Sequence, residues 1–194
     1  MTPVGHPGGH GIVAAVVGPS GAGKDTLMEA ARARLAGDPG FAFLRRVITR
    51  PAEAGSEDHE EMARGAFQAA REAGHFAMSW DAHGLLYGIP RDALETALDD
   101  RAVAVVNLSR YILPDVAARY PLVVLSITAP LHLRARRLAA RGRETPEEVA
   151  ARLSRDAGVP PGLDVREVAN TGTVEEGAEA LVELLRGLTT AARA

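Results

Sequence analysis

The chain has 194 residues, 46% of them hydrophobic, which suits one compact domain with a real core and is short for two. A formal charge of −3 excludes the global positive field that gathers nucleic acid or acidic membrane, and no apolar stretch approaches the ~20 residues of a membrane span. The lack of cysteine excludes disulfides, thiolate catalysis and cysteine-bound zinc or iron–sulfur centres, and fits a reducing cytoplasm.

Residues 1–11, rich in Gly, Pro and His, read as a flexible leader without the apolar core of a signal peptide; a single domain is expected over 12–194. Ile12–Val17 is an apolar run of strand type, and a helix is expected over 25–36, with Leu27, Ala31 and Leu35 on one face. Between them lies Gly18, Pro19, Ser20, Gly21, Ala22, Gly23, Lys24, Asp25 and Thr26. Strand, glycine loop and helix in that order are the context of a phosphate-binding P-loop, whose backbone N–H groups cradle a nucleotide at the helix N-terminus. Lys24 is the only lysine among 22 Lys and Arg residues, a compact ammonium where arginine's rigid fork would not follow a phosphate. The motif departs from its pattern at Asp25, where a Mg²⁺-ligating hydroxyl is expected. Asp25 is read either as the metal ligand, directly or through water, or as a carboxylate favoured by the helix dipole.

Further strands are expected at 41–48, 103–108, 122–128 and, more weakly, 165–169. Helical patterns fall at 61–74, 91–100, 114–119, 130–141, 146–156 and 174–188. Alternating strands and helices predict an α/β fold with a mostly parallel sheet flanked by helices. The last helix carries a capping box, Thr173 with Glu176, and an apolar stripe through Val174, Ala178, Leu181, Val182, Leu185 and Leu188. Two segments, 49–90 and 134–155, interrupt this pattern. The second holds seven arginines. Arg134, Arg136 and Arg137 read as a solvated helix face, whereas Arg141, Arg143, Arg152 and Arg155 flank a helix start at Thr145–Glu148 and are candidates for phosphate contacts. Two helices joined by an arginine-bearing loop look like a kinase lid.

Gly18–Lys24, Thr49-Arg50-Pro51 and Tyr87-Gly88 together resemble the guanylate kinase family over nearly the whole chain. The resemblance implies an ATP- and Mg²⁺-dependent phosphotransferase with an acceptor-binding insertion at 49–90 and a lid at 134–155. It implies that Arg50 and Tyr87 grip the acceptor phosphate and that Lys24, Arg141 and Arg152 act on the transferred group. The groups that read guanine in that family are missing: their positions fall near Met78 and on Ile89. The family's second phosphate-gripping arginine and its tyrosine near Asp58 are absent too. At the end of the 103–108 strand, Asn107 stands where that family carries aspartate, and the metal-directed carboxylate is expected to have moved to Asp25.

The variants Gly18–Asp25, Val47–Pro51, Gly55–His59 and Trp80–Gly84 leading to Tyr87–Pro90 more specifically resemble the ribose 1,5-bisphosphate phosphokinases, a baseless-acceptor branch of phosphonate breakdown. This implies phosphorylation of ribose 1,5-bisphosphate to 5-phospho-α-D-ribose 1-diphosphate. The alternatives are a guanylate-type nucleoside-monophosphate kinase and a non-catalytic binding module of the same fold. Glu57, Asp58 and His59 are candidates for the sugar hydroxyls or a second metal, against a bland reading as a solvated loop and helix turn. Asp81 and His83 are weaker sugar candidates. Asn170 is a candidate at the adenine edge, or a helix-entry turn. Trp80, His75 and His132 read as structural. The expected partners are small molecules, with neither nucleic acid nor membrane, and nothing in the pattern specifies an oligomeric state.

Overall fold

In a computed structural model that describes residues 11–51, 57–140, 153 and 158–192, β1 (Ile12–Val17) lies at the centre of a five-stranded sheet. Its neighbours are β7 (Val103–Asn107) and β8 (Leu122–Thr128), with β2 (Phe41–Phe43) and β9 (Val165–Ala169) at the edges. Every pairing in this sheet is parallel. Parallel strands are covered on both faces, which is why β1 reads as an unbroken apolar run. Val13, Ala15 and Val17 face one core, while Ala14 and Val16 face the other. The second of these cores is closed by α1 (Lys24–Arg34) and by α6 (Val174–Ala192), the first by α3 (Arg91–Asp99) and α4 (Leu113–Ala117). Thr173 and Glu176 cap α6 reciprocally, at 2.8 and 3.2 Å. Among the described residues no helix is long and apolar enough to cross a membrane.

The run 41–48, expected as one strand, is divided. Phe41–Phe43 pairs with β7, and Arg46–Ile48 (β3) belongs to a second sheet. The break falls at Leu44-Arg45-Arg46, where adjacent arginines do not suit the buried interior of a parallel sheet. The second sheet, in the order β4–β3–β6–β5, was not read from the sequence; it adds β4 (His59–Glu61), β5 (Phe76–Ala82) and β6 (Leu85–Pro90). Because His59–Glu61 pairs with β3, the helix expected from 61 begins later, as α2 (Arg64–Glu72). β5 and β6 form a hairpin turning on His83 and Gly84, with φ of 52° and 75°. Positive φ at both turn residues is the requirement of a type I′ turn, whose twist matches the strands it joins. The two sheets share one core: Trp80, Tyr87 and Ile89 pack with Val13, Val17 and Val106.

α5 (Leu131–Ala140) follows β8, and the helix expected over 146–156 lies outside the described residues apart from Leu153, which is helical. The leader over 1–11 likewise lies outside them, save Gly11.

Leu185 is fully buried on α6, within the core that includes Leu27 and Leu35 of the segment after the glycine loop. Leu185→Ala is expected to cost about 2–5 kcal/mol of unfolding free energy. Urea denaturation measures the loss, and Michaelis constants of the surviving folded enzyme are expected to stay unchanged.

Candidate active site

β1 sits where the sheet order reverses between β7 and β8, and in such sheets ligands bind beyond the carboxyl ends of the strands. The glycine loop begins there. Gly21 and Gly23 have φ of 79° and 88°; a Cβ on Gly21 would come within 2.7 Å of the Arg134 carbonyl, and one on Gly23 within 2.4 Å of the Asn170 amide. The loop therefore needs glycine twice, for conformation and for close approach.

What lies so close is a set of braces. Arg134 Nε donates to the Ser20 carbonyl at 3.0 Å, and Asn170 Nδ2 donates to the Ala22 carbonyl at 2.7 Å. Arg137 donates to the carbonyls of Ala22 and Asn170, at 3.3 and 3.1 Å. In a planar trans peptide the C=O and the following N–H point in opposite directions. With the carbonyls of Ser20 and Ala22 turned outward, the N–H groups of Gly21 and Gly23 turn toward the cavity that both residues line. This corrects one reading. Arg134 is buried and Arg137 is tied to the loop, so neither belongs to a solvated face. Asn170, also buried, holds the loop from behind and is not among the residues lining the cavity beside the loop. Arg134 and Arg137, on the i, i+3 spacing of the helix that follows β8, were the available signal for these braces; a lone Asn before a helix gave none.

The cavity has a volume of about 540 Å³ and is bounded by the glycine loop and the end of β7 on one side and by the second sheet on the other. Lys24 and Asp25 stand at the loop end. Lys24 Nζ lies 2.5 Å from Asp25 Oδ1, and the same oxygen accepts from Asn107 Nδ2 at 3.1 Å. The structure thus brings together Asp25 and Asn107, two of the positions at which the sequence departs from its pattern. Thr26 is exposed and Ala22 fully buried, and neither lines the cavity. No group of three or more His, Asp or Glu side chains suited to a metal occurs among the described residues. One carboxylate beside a phosphate loop still fits Mg²⁺, which keeps several waters and takes its remaining ligands from substrate phosphates.

On the facing wall, Tyr87 lies parallel to Trp80 across the β5–β6 hairpin, with ring centroids 5.3 Å apart. Arg46 of β3 lies over the Tyr87 ring at 5.1 Å. Glu57 was expected near the substrate; instead its carboxylate engages Arg46, with Nε to Oε1 at 2.7 Å and a second contact from Nη2. Asp58 is directed to Arg32 and Arg45 on the surface, at 3.3 and 3.0 Å. The Arg32 guanidinium is held above its ordinary range, chiefly by its hydrogen bond to Glu29. His59 is buried, with Nδ1 2.8 Å from the Glu57 carbonyl and Nε2 3.1 Å from the Arg50 carbonyl. It ties the 57–59 segment to the end of β3, and both ring nitrogens are occupied by main chain. None of these three acidic-cluster residues lines the cavity. Arg50 is half-buried and does not line it either. Asp81 pairs with Arg71 at 2.6 Å, while His83 at the hairpin turn does reach the cavity. Arg110 also lines it. Met78 and Ile89 are buried partners directly across the hairpin, apolar and outside the cavity lining. Arg46 was missed because a paired Arg45-Arg46 inside an apolar run carries no motif. Arg141 and Arg152 lie outside the described residues.

A phosphate loop at the switch point of a parallel sheet, facing a small second sheet across one cavity, defines a P-loop kinase of guanylate kinase type. The fold superposes on the guanylate kinase of Anaplasma phagocytophilum with a TM-score of 0.65, covering 91% of this chain and 86% of that one at 18% identity. No family model matches the chain. The ribose 1,5-bisphosphate phosphokinase PhnN of Brucella melitensis is 45% identical over 90% of this chain and 92% of its own. That of Rhizobium etli is 45% identical over 97% of this chain and 98% of its own. The chain belongs to the ribose 1,5-bisphosphate phosphokinase family.

Arg134→Gln removes the guanidinium that turns the Ser20 carbonyl outward. A non-hydrolysable ATP analogue is expected to bind roughly 5- to 30-fold more weakly, the effect of about 1–2 kcal/mol for one lost buried hydrogen bond. Isothermal titration measures it; unchanged affinity would show that the loop keeps its shape without this brace.

Proposed function

We propose that the chain transfers the γ-phosphoryl group of ATP to the 1-phosphate of ribose 1,5-bisphosphate, giving 5-phospho-α-D-ribose 1-diphosphate. The observation that carries the reading is the character of the cavity. One wall is a phosphate loop with Lys24; the other offers Arg46 and Tyr87 but no carboxylate or hydroxyl at the Met78 and Ile89 positions. A pocket built for guanine would have to satisfy the polar edge of the base, because unpaired buried donors and acceptors each cost about 1–3 kcal/mol. A sugar phosphate makes no such demand. The guanylate kinase reading therefore has no group to rest on, and a binding-only module has no use for Lys24 poised at the loop.

The chain's own residues supply positioning and charge. The amides of Gly21 and Gly23, fixed by the outward carbonyls, receive the nucleotide's phosphate oxygens. Lys24, on its flexible stem, accompanies the transferring oxygens. Asp25 would hold Mg²⁺ on the protein side, where the ion would supply neutralisation of phosphate charge. Asn107 fixes the Asp25 carboxylate through Oδ1. An oxygen of the acceptor's 1-phosphate bonds to the γ-phosphorus as the bond to the β–γ bridging oxygen breaks, and ADP leaves. That oxygen is already anionic, so no protein base is required. Tyr87 and Arg50 serve the acceptor phosphate in this scheme, Arg50 on the strength of the family resemblance alone. The same holds for the acceptor role of 49–90 and for Arg141 and Arg152 as lid residues over 134–155. Consumption of ATP and the cysteine-free composition support a cytoplasmic setting.

A coupled ADP-release assay with ATP and Mg²⁺ is expected to show turnover with ribose 1,5-bisphosphate and none with GMP, dGMP or ribose 5-phosphate; GMP turnover would overturn the reading. Lys24→Ala is expected to lower kcat by at least ~10²-fold, the scale of losing one transition-state donor, with the fold intact by circular dichroism. Asp25→Asn is expected to raise the Mg²⁺ concentration for half-maximal rate and lower kcat; an unchanged Mg²⁺ profile would remove Asp25 from the metal.

A further inference from the structure

We infer that Arg46 binds the acceptor phosphate that does not react, and so sets the preference for a bisphosphorylated sugar. The inference rests on the reaction proposed above. Arg46 is a charged side chain only 13% exposed, on the cavity wall that belongs to the second sheet. Arginine is rarely buried to that degree without a partner. Its partner is Glu57, which takes Nε–H and one N–H of Nη2 and thereby sets the plane of the fork. The guanidinium also lies over Tyr87 and 6.0 Å from the Trp80 centroid, a second constraint on its orientation. A guanidinium has five N–H donors. Among the described contacts none engages Nη1, and the residue lines the cavity.

The chemistry of the acceptor supplies a match. One phosphate must abut the γ-phosphoryl group at the glycine loop and Lys24. The other is then carried away from that loop, toward the second sheet. A dianion entering a half-enclosed cavity needs directed donors to replace its water. Glu57 offsets most of the net charge of Arg46, so the contribution comes from fixed hydrogen bonds at a set distance from the loop and not from a broad positive field. Tyr87, gripping the reacting phosphate in the same scheme, and Arg46, lying on its ring, would then hold the two ends of one sugar. The competing account is a structural clip joining β3 to the 57–59 segment.

Arg46→Gln and Glu57→Gln separate these accounts. With Arg46→Gln, kcat/KM for ribose 1,5-bisphosphate is expected to fall roughly 10- to 100-fold, the range for a lost charge-assisted hydrogen bond. KM for ATP is expected to hold within about twofold, and the loss with ribose 1-phosphate, which lacks the distal group, to stay below about threefold. Glu57→Gln keeps the guanidinium and is expected to lose less than Arg46→Gln. Equal losses on both sugars, or equal losses from both variants with matching falls in Tm, would assign the pair to the clip. A readout without turnover uses ribose 5-phosphate, which carries only the distal phosphate. Its titration is expected to show binding to the wild type and roughly 10- to 100-fold weaker binding to Arg46→Gln. Should the wild type phosphorylate neither sugar while this difference persists, the reaction fails and the Arg46 site stands. Should it phosphorylate the bisphosphate while Arg46→Gln binds and turns over normally, the Arg46 site alone fails.

Discussion

The outward pull on two carbonyls of the glycine loop governs the rest of this structure. Left to itself, a glycine-rich turn has many conformations and loses more entropy on ordering than any other sequence. Here Arg134, Arg137 and Asn170 hold the carbonyls of Ser20 and Ala22, and the planarity of the peptide converts that grip into the direction of the neighbouring amides. The braces come from α5 and from the end of β9, so the phosphate nest exists only once β8 and β9 have joined the sheet. Local sequence supplies the glycines; the nest itself is tertiary. Two guanidinium groups behind the loop also place positive charge close to where phosphates gather, adding to the partial charge of the α1 N-terminus.

In the proposed reaction the second sheet would do for the acceptor what the first would do for the nucleotide. Its hairpin sets Trp80 and Tyr87 parallel, and the passage from β2 to β3 carries Arg46 from the edge of one sheet into the face of the other. The buried His59 fastens the neighbouring segment by main-chain contacts at both ring nitrogens. Glu57 and His59 consequently shape the wall formed by the second sheet without lining the cavity. An acidic cluster met in sequence suggests ligands, yet in the fold its members answer to arginines: Glu57 to Arg46, and Asp58 to Arg32 and Arg45.

Most of the parallel sheet was legible because β1, β7 and β8 are largely buried on both faces and therefore mostly apolar, bounded by turn residues. The glycine loop was legible because its chemistry is carried by a contiguous run. The second sheet was not, since β3 and β4 have three residues each and the β5–β6 hairpin turns on His83-Gly84, a weaker cue than Asn-Gly. Residues that act by reaching across the fold were missed for the same reason: Arg134 lies 114 positions from the carbonyl it holds, and Asn170 lies 148 from its own. Asp25 and Asn107, each a departure from the expected pattern, become intelligible together in the fold, where Asn107 Nδ2 donates to Asp25 Oδ1 at 3.1 Å.

The division of labour between the two kinds of cation explains the odd composition. Wherever a positive side chain must hold a fixed shape, this chain uses arginine: at the Ser20 and Ala22 carbonyls, and against the two oxygens of Glu57. A planar fork with several donors suits static acceptors, and losing it to lysine would break at least one bond of each set. The transferring phosphoryl group is not static. Its oxygens move as one bond lengthens and another forms, and a charge that tracks them must ride on a flexible stem. In the proposed reaction the single lysine, Lys24, would occupy that one place; in the structure its ammonium lies 2.5 Å from Asp25. Substituting arginine there would preserve the charge and lose the motion, so Lys24→Arg should behave as a catalytic loss, lowering kcat far more than it raises KM for ATP.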